Sequence, residues 1–304
     1  MRNDVYQIVT DRIMALLESG TIPWRKPWKG GEPPQNLVSR KPYRGINIFL
    51  LNATRFGSPF WLSFKQVRGI GAVVRKGEKA FPVVFWKLPD VKGDEKKEEA
   101  PQKRAPLLRY YNVFNIEQCE NVKPHLLPKP ETNEFQPIDR CDQVVAGMPK
   151  RPKIVHGGAR AMYCPVKDTV TMPNTVSFDS PEFYYSTLFH ELTHSTGHAS
   201  RLSRTGITEP IHFGSDPYSR EELVAEMGAP FLCGHCGIEN RTIEESAAYI
   251  QGWLDRLRDD RKLIVHAAAQ AQKAADFVLG NGPEDSVANT TEKIMPPSPV
   301  EVCA

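Results

Sequence analysis

Two histidines four residues apart, His190 and His194, constrain this chain more than any other feature of its sequence. On an α-helix, residues four apart lie on one face, so both imidazoles could reach a single metal ion. Glu191 would lean over the open position of that metal, where a carboxylate can take a proton from water. The pattern therefore predicts a divalent metal site, with zinc as the first expectation, of the kind that zincin metallopeptidases use.

The segment around the two histidines carries the signals of a helix. Asp179 or Ser180 could cap its first turn, Pro181 suits the first helical position, and Gly197 could end it. Apolar residues within the segment form one face, namely Tyr184, Leu188, Phe189 and Leu192. The alternative is that two surface histidines occur by chance on an ordinary helix, and the capping signals favour the metal site over it.

A second predicted helix carries two acids one turn apart, Glu222 and Glu226. A third protein ligand would complete a site of two histidines and one carboxylate, and either acid could supply it. The nearby residues Ala225, Gly228 and Ala229 are small, so this helix could approach the histidine helix closely. We therefore expect the third ligand to come from a neighbouring, tightly packed helix.

Length and composition limit the classes of protein to which the chain can belong. The 304 residues suffice for two domains, and 40% apolar residues support real cores. The chain has no run of about 18 apolar residues and no signal-peptide pattern at its start, which predicts a soluble, cytoplasmic protein without a membrane partner. Six scattered cysteines predict free thiols, and the isolated pair Cys233 and Cys236 favours a buried helix end over a second metal site.

The charge of the chain is split between its two halves. Residues 1–126 carry 22 Lys/Arg against 12 Asp/Glu, and the remainder carries 17 against 24. Four of the five Trp lie within residues 1–87. Single-stranded DNA suits such a surface, because bases stack on aromatic rings while phosphates meet the cations. We therefore expect the first half to bind single-stranded DNA, with double-stranded DNA as a second candidate partner.

An irregular stretch at residues 22–31 alternates Trp with basic residues and Pro/Gly. Trp24 and Trp28 could stack on bases there while Arg25 and Lys26 meet phosphates; alternatively, the two Trp side chains could anchor the loop to the core. The candidate DNA contacts of the basic half are Trp24, Arg25, Lys26, Trp28, Lys41, Tyr43, Arg44, Arg75, Lys76 and Lys79.

These patterns predict an α+β protein in four segments. A mixed α+β DNA-binding domain spans residues 1–125, a Pro-containing linker spans 126–140, a zincin-like α+β metallopeptidase domain spans 141–280, and a disordered tail spans 281–304. Within the metallopeptidase domain, Thr169 to Met172 is expected to form the edge strand above the metal helix, where it could hold an extended peptide.

Several motifs resemble a known family. The segments 22–24, 41–47, 75–79 and 110–115 are similar to the single-stranded-DNA-binding domain of the ArdC antirestriction family, which in turn resembles the N-terminal part of TraC-type plasmid primases. Residues 184–204 resemble the zincin-like domain attached in the same family. The similarity extends over most of the chain and follows the motif order of the family.

The resemblance implies a plasmid-borne bacterial protein that shelters incoming single-stranded DNA from restriction endonucleases. Its zincin half is similar to SprT-type proteases, which act on DNA-bound proteins, so a protein substrate of unknown identity is implied. The site residues that the family pattern implies are the metal ligands His190, His194 and Glu222, the general base Glu191, and Glu226 as the acid that supports the first histidine.

One departure separates the chain from metzincins. Their third histidine would fall at Ser200, and His198 comes two residues too early, so we expect His198 to be a structural or substrate-side residue. Three functions stay open: a DNA-binding protective protein with an accessory protease, a protease recruited by DNA to cleave host proteins, and a binding module whose zincin half is inactive.

Overall fold

A computed structural model describes residues 4–24, 33–54, 56–87, 107–127, 137–209, 216–238 and 247–281. Its helices are α1 (Val5–Glu18), α2 (Ile46–Asn52), α3 (Phe64–Gly69), α4 (Pro137–Gly147), α5 (Pro181–Ser195), α6 (Thr205–Thr208), α7 (Asp216–Cys236), α8 (Ala247–Asp259) and α9 (Leu263–Val278). Its strands are β1 (Gln35–Asn36), β2 (Phe60–Ser63), β3 (Val73–Val74), β4 (Phe81–Lys87), β5 (Leu107–Asn115), β6 (Cys119–Glu120), β7 (Lys153–His156), β8 (Met162–Cys164) and β9 (Thr169–Met172). This mixture confirms the predicted α+β class.

The N-terminal domain is built around a four-stranded sheet in the order β1-β2-β5-β4. Strands β4 and β5 pair antiparallel from Phe81 opposite Val113 to Lys87 opposite Leu107. Successive residues of a strand point to opposite faces of the sheet, and apolar clusters cover both faces. One side packs against the aromatic cluster around Trp61, and the other meets the helices of the main core.

The sheet of the second half of the chain has the order β7-β9-β8. Strand β9 pairs with β7 in parallel and with β8 antiparallel, so it is the middle strand. The prediction that Thr169 to Met172 forms the edge is therefore wrong, and β8 is the outer strand on the antiparallel side. Both strands of the β8–β9 hairpin are short and similar in composition, so their order along the chain does not reveal which one is flanked on both sides.

Helices α5 and α7 approach each other closely, as the small residues of α7 predicted. A β-carbon built on Gly228 of α7 would lie only 2.5 Å from Cγ2 of Thr193 on α5. Real atoms do not approach so closely, so only glycine fits at this crossing. This contact fixes the spacing between the helix that carries the histidines and the helix that carries the acids.

The two halves of the chain share one core. Phe49 of α2 stacks on Phe231 of α7 with ring centroids 4.9 Å apart. The Thr10 hydroxyl on α1 donates a hydrogen bond to the Arg261 carbonyl at 2.8 Å. Because these contacts join the first 50 residues to the last 75, the N-terminal domain packs directly on the metallopeptidase domain.

The exact domain limits stay a prediction. Helix α4 begins at Pro137, inside the segment 126–140 that was expected to link the domains. Of the expected tail, residues 282–304 lie outside the described part of the chain.

The cysteines that the structure describes are free thiols, as predicted, and three of them are buried. No helix in the described ranges combines the length and apolarity needed to span a bilayer.

Candidate metal centre

Helix α5 presents the two histidines on one face. The Ser180 side chain accepts a hydrogen bond from the Phe183 amide, so Ser180 rather than Asp179 is the N-cap, and Pro181 opens the helix. The imidazole centroids of His190 and His194 are 4.8 Å apart, and their Nε2 atoms are 3.1 Å apart. The predicted helix and its histidine face are therefore present.

Helix α7 places Glu222 opposite this pair. Its carboxylate oxygens lie 3.7 Å from Nε2 of His190 and 3.6 Å from Nε2 of His194. Potential ligand atoms of the three residues all fall within 4.8 Å of one another. Two imidazole nitrogens and one carboxylate oxygen form a donor set that suits zinc and similar divalent ions, so the residues present fit a metal.

A buried ion pair lies behind His194. Oxygen Oε1 of Glu221 is 3.4 Å from Nδ1 of His194, and Arg204 donates to Oε2 of the same carboxylate at 2.9 Å. Arg204 also donates to the Thr193 carbonyl and the Thr196 hydroxyl. This network fixes the His194 ring, with Nε2 directed at Glu222 and Nδ1 held from behind.

The roles of Glu221 and Arg204 were not predicted. Glu221 is adjacent to the expected ligand, and neighbouring helical residues project about 100° apart, so one acid could not reveal the role of the other. Arg204, ten residues after His194, carries no sign of burial in the sequence; the structure shows that it is buried, and a buried arginine needs a carboxylate partner. The predicted support by Glu226, one turn after Glu222 and half-buried, stays a prediction.

The charges around His194 favour a cation. Burial alone would lower its pKa, but the hydrogen bond to Glu221 and the negative charges of Glu222, Glu221 and Glu191 raise it to about 9. Burial likewise would raise the pKa of Glu221, yet Arg204 and His194 hold it below its ordinary value. The metal-free site therefore holds a proton that a metal ion must displace.

The carboxyl of Glu191 is 8% exposed and faces the edge strand β8. Burial raises its pKa, while the charge of His194 and a hydrogen bond from the Tyr163 amide act in the opposite direction. A carboxylate whose proton affinity is raised in this way suits a general base, because it holds an abstracted proton more firmly than an exposed carboxylate does.

Tyr218, in the first turn of α7, is a further residue of the cleft that sequence analysis missed. Its hydroxyl hydrogen-bonds to the Glu222 carboxylate, and its pKa is raised to about 12 by burial first and by the charge of Glu222 second. The hydroxyl therefore stays protonated and donates, which orients Glu222. The spacing of four residues on one helix face was the available signal.

The loop after α5 keeps His198 apart from the candidate ligands. Its Nδ1 lies 2.8 Å from the hydroxyl of Ser200, two residues away and exposed. Among the residues that the structure describes, the candidate metal group consists of His190, His194 and Glu222. The expectation that His198 is a structural or substrate-side residue stays a prediction.

Three candidate DNA contacts of the basic half are used inside the protein. Trp24 is 1% exposed, packs edge-to-face on Trp253, and cannot stack on a base, so its assignment was wrong and the anchoring alternative holds for this residue. Tyr43 is 8% exposed within the aromatic cluster around Trp61. Arg44 pairs with the buried Asp276, which ties α2 to α9.

The remaining candidates divide into exposed residues and residues outside the described ranges. Lys41, Lys76 and Lys79 are exposed. Arg75 pairs with Glu78 at 3.1 Å and keeps about half of its side chain exposed. The positions of Arg25, Lys26 and Trp28 lie outside the described part of the chain, so their proposed contacts stay predictions.

Two family models match this chain. The model for the N-terminal domain of anti-restriction factor ArdC matches residues 3–114, and the model for a zincin-like metallopeptidase matches residues 140–270. The two matches fall on the basic domain and on the domain with the metal centre.

Curated relatives and solved structures extend the likeness. Two proteins of Escherichia coli named DNA primase TraC are 36% and 34% identical over 90% and 98% of this chain, which spans only 20% and 29% of their lengths. The uncharacterized protein y4eC of Sinorhizobium fredii is 34% identical, with 90% of this chain and 91% of that protein covered.

Crystal structures of antirestriction ArdC from plasmid R388 are 37% identical to this chain. The metal-free form has a TM-score of 0.72 and covers 95% of this chain and 100% of its own. The Mn(II)-bound form has a TM-score of 0.71, with 91% and 98% covered. The second structure shows that a protein similar to this one holds a divalent ion.

Proposed function

Since this chain belongs to the ArdC antirestriction family, we propose that it binds single-stranded DNA and shelters plasmid DNA, in the bacterial cytoplasm, from host restriction endonucleases. The observation that carries the proposal is the likeness to antirestriction ArdC over nearly the whole of both chains. The excess of basic residues in residues 1–126 supports it, because phosphate contacts provide affinity that does not depend on sequence.

Protection of this kind requires occupancy of the DNA. A restriction endonuclease must reach its recognition sequence, and a protein that coats the strand through its phosphates blocks that access at every sequence. The exposed residues Lys41, Lys76 and Lys79 are the described candidates for such contacts. The acidic half adds little to DNA binding, because its negative charge repels phosphates.

For the second half we propose a zinc-dependent peptidase whose ion is held by His190, His194 and Glu222. When bound, the ion supplies Lewis acidity toward water and a peptide carbonyl. Glu191 accepts a proton from a water molecule in the cleft and returns it to the departing amine. An extended substrate pairs its backbone with the outer strand β8, which passes over Glu191.

One competing function remains, in which a peptidase recruited by DNA cleaves a host protein. The intact Glu191 beside three candidate ligands favours an active peptidase over an inert domain. The two functions differ in which half of the protein is needed for protection, so they can be separated by substitution.

The experiment compares plasmid transfer into restricting and non-restricting hosts. Glu191→Gln keeps the shape and the ligands but removes the base, while the pair Lys76→Glu and Lys79→Glu reverses charge on the DNA-binding domain. We expect Glu191→Gln to protect as well as the unaltered protein, and the charge reversal to abolish both protection and single-stranded DNA binding in gel-shift assays.

The matched control is the pair Lys153→Glu and Lys167→Glu, which makes the same charge change at exposed sites of the metallopeptidase domain. This control should bind DNA and protect normally. If the folded Glu191→Gln protein binds DNA but no longer protects, cleavage of a host protein is the mechanism, and protection by occupancy is rejected.

A further inference from the structure

A cavity of about 490 Å³ opens in the N-terminal domain and shares no residue with the metal centre. It lies between α1, the end of α2 and the turn that precedes β4. The lining residues that matter for its chemistry are Arg12, Ala53, Phe56, Lys79, Phe81 and Gln118. Its volume is within the range of about 300–1,000 Å³ that small-molecule pockets have.

The cavity presents positive charge. The guanidinium of Arg12 lies over the ring of Phe81, 4.6 Å from its centroid, and burial lowers the pKa of Arg12. Among the residues that the structure describes, no carboxylate pairs with Arg12; Glu78 also lines the cavity, and its charge is offset by Arg75 at 3.1 Å. A half-buried guanidinium without a counter-ion favours an anionic ligand, because such a ligand replaces the solvation that burial removes.

The walls of the cavity are held in place by other contacts. Phe56 and Phe81 meet edge-to-face at 5.7 Å, and both rest on Trp61 behind them. Gln118 is 1% exposed and donates to Glu78 at 3.0 Å and to the Lys79 carbonyl at 2.9 Å. The aromatic wall and the basic rim are therefore preformed, and they face one space.

We propose that this cavity receives one nucleotide of a bound DNA strand. The base stacks on the guanidinium plane of Arg12, which itself lies over the ring of Phe81, and the phosphate accepts hydrogen bonds from the edge of Arg12 and from Lys79. Any base fits such a plane, because every base has an aromatic face. This inference rests on the proposed binding of single-stranded DNA, which supplies the nucleotide. A free mononucleotide offers the same base and phosphate groups.

The test fills the cavity without removing a charge. Ala53→Phe adds a ring from the end of α2 into the space, and Ala15→Phe adds the same ring at an exposed site of α1 outside the cavity. Affinity of the full chain is measured by fluorescence anisotropy for labelled dT20 and for the same strand with abasic sites throughout. Saturation-transfer NMR with dTMP then asks whether a free nucleotide enters.

We expect Ala53→Phe to weaken dT20 binding about tenfold and to leave binding of the abasic strand unchanged, while Ala15→Phe affects neither. Equal losses on both strands, or no loss on dT20, would overturn the proposal. If Ala53→Phe does not fold by thermal melting, Arg12→Gln takes its place, and it must weaken dT20 binding and dTMP binding together.

The same measurements separate this inference from the proposed function. If the unaltered protein binds neither strand but binds dTMP, and Ala53→Phe abolishes the dTMP signal, the cavity is a mononucleotide site and single-stranded DNA binding is wrong. If the unaltered protein binds dT20 while Ala53→Phe binds it equally well, the DNA-binding function stands and the cavity has no part in it.

Discussion

The metal cleft and the basic domain differ in how their functional residues are placed. In the cleft, two candidate ligands come from one turn of α5, so helix geometry alone puts His190 and His194 together. In the basic domain, the candidates are dispersed between residues 24 and 79, and packing decides which of them reach solvent. Trp24 is buried while Lys79 is exposed, although both lie in basic, aromatic-rich sequence. Local spacing therefore predicts the first site far better than composition predicts the second.

The largest effect that tests this contrast is the loss of a predicted ligand. His190→Ala should lower metal affinity by more than about 100-fold, because it removes one of three donor atoms. The neighbouring His198→Ala should bind metal normally, since His198 contacts Ser200 instead. The metal content of both variants after dialysis is measured by plasma emission spectroscopy. Full occupancy in His190→Ala would show that the shared helix face does not form the site.

In the basic domain, the second-largest effect should appear in stability. Trp24→Ala removes a buried ring that packs on Trp253 and donates a hydrogen bond to the Tyr249 hydroxyl. We expect the free energy of unfolding to fall by about 3–5 kcal/mol, as for other large-to-small core changes. Urea denaturation measures it. A variant that kept full stability but lost DNA affinity would instead restore Trp24 as a stacking residue.

The same contrast explains what could be predicted from the sequence. Caps, apolar periodicity and the histidine spacing predicted α5, because these signals lie within one element. The role of Glu221 and the burial of Tyr43 depend on contacts with other elements, and the central position of β9 depends on its parallel pairing with β7. Arg44 is the clearest case of such a long-range contact. Its basic context in the sequence suggested a DNA contact, whereas in the structure its guanidinium donates a hydrogen bond to Asp276, 232 residues later.

A third test concerns the packing that joins the helices of the cleft. Gly228→Ala places a methyl group against Thr193, where a β-carbon would lie 2.5 Å from Cγ2. The two helices must separate, at a cost of about 1–3 kcal/mol in stability. Gly252→Ala on α8, where a β-carbon meets no atom within 4 Å, is the matched control. Thermal melting compares them; equal stabilities would mean that the helix crossing does not need a glycine.

The last test concerns a pH dependence that arises in the cleft from packing and not from spacing. Glu221 and the neighbouring carboxylates raise the pKa of His194 to about 9 in the metal-free protein, from an ordinary value of 6.5. Stability from this protonated histidine is therefore full below pH 6.5 and is lost as pH rises through 9. Metal binding must displace the proton, so metal affinity should rise about tenfold per pH unit from pH 7 to 9 and then level off.

Competition titrations with a chromophoric chelator, corrected for protonation of the chelator, measure this slope at pH 7, 8 and 9. Glu221→Gln removes the negative charge behind the imidazole, so the pKa of His194 should fall and the slope between pH 7 and 9 should flatten. An unaltered protein whose metal affinity does not change with pH would mean that His194 is neutral before the ion arrives. In that case the carboxylate of Glu221 would orient the ring without changing its charge, and the spacing of the two histidines would account for the metal affinity without a contribution from Glu221.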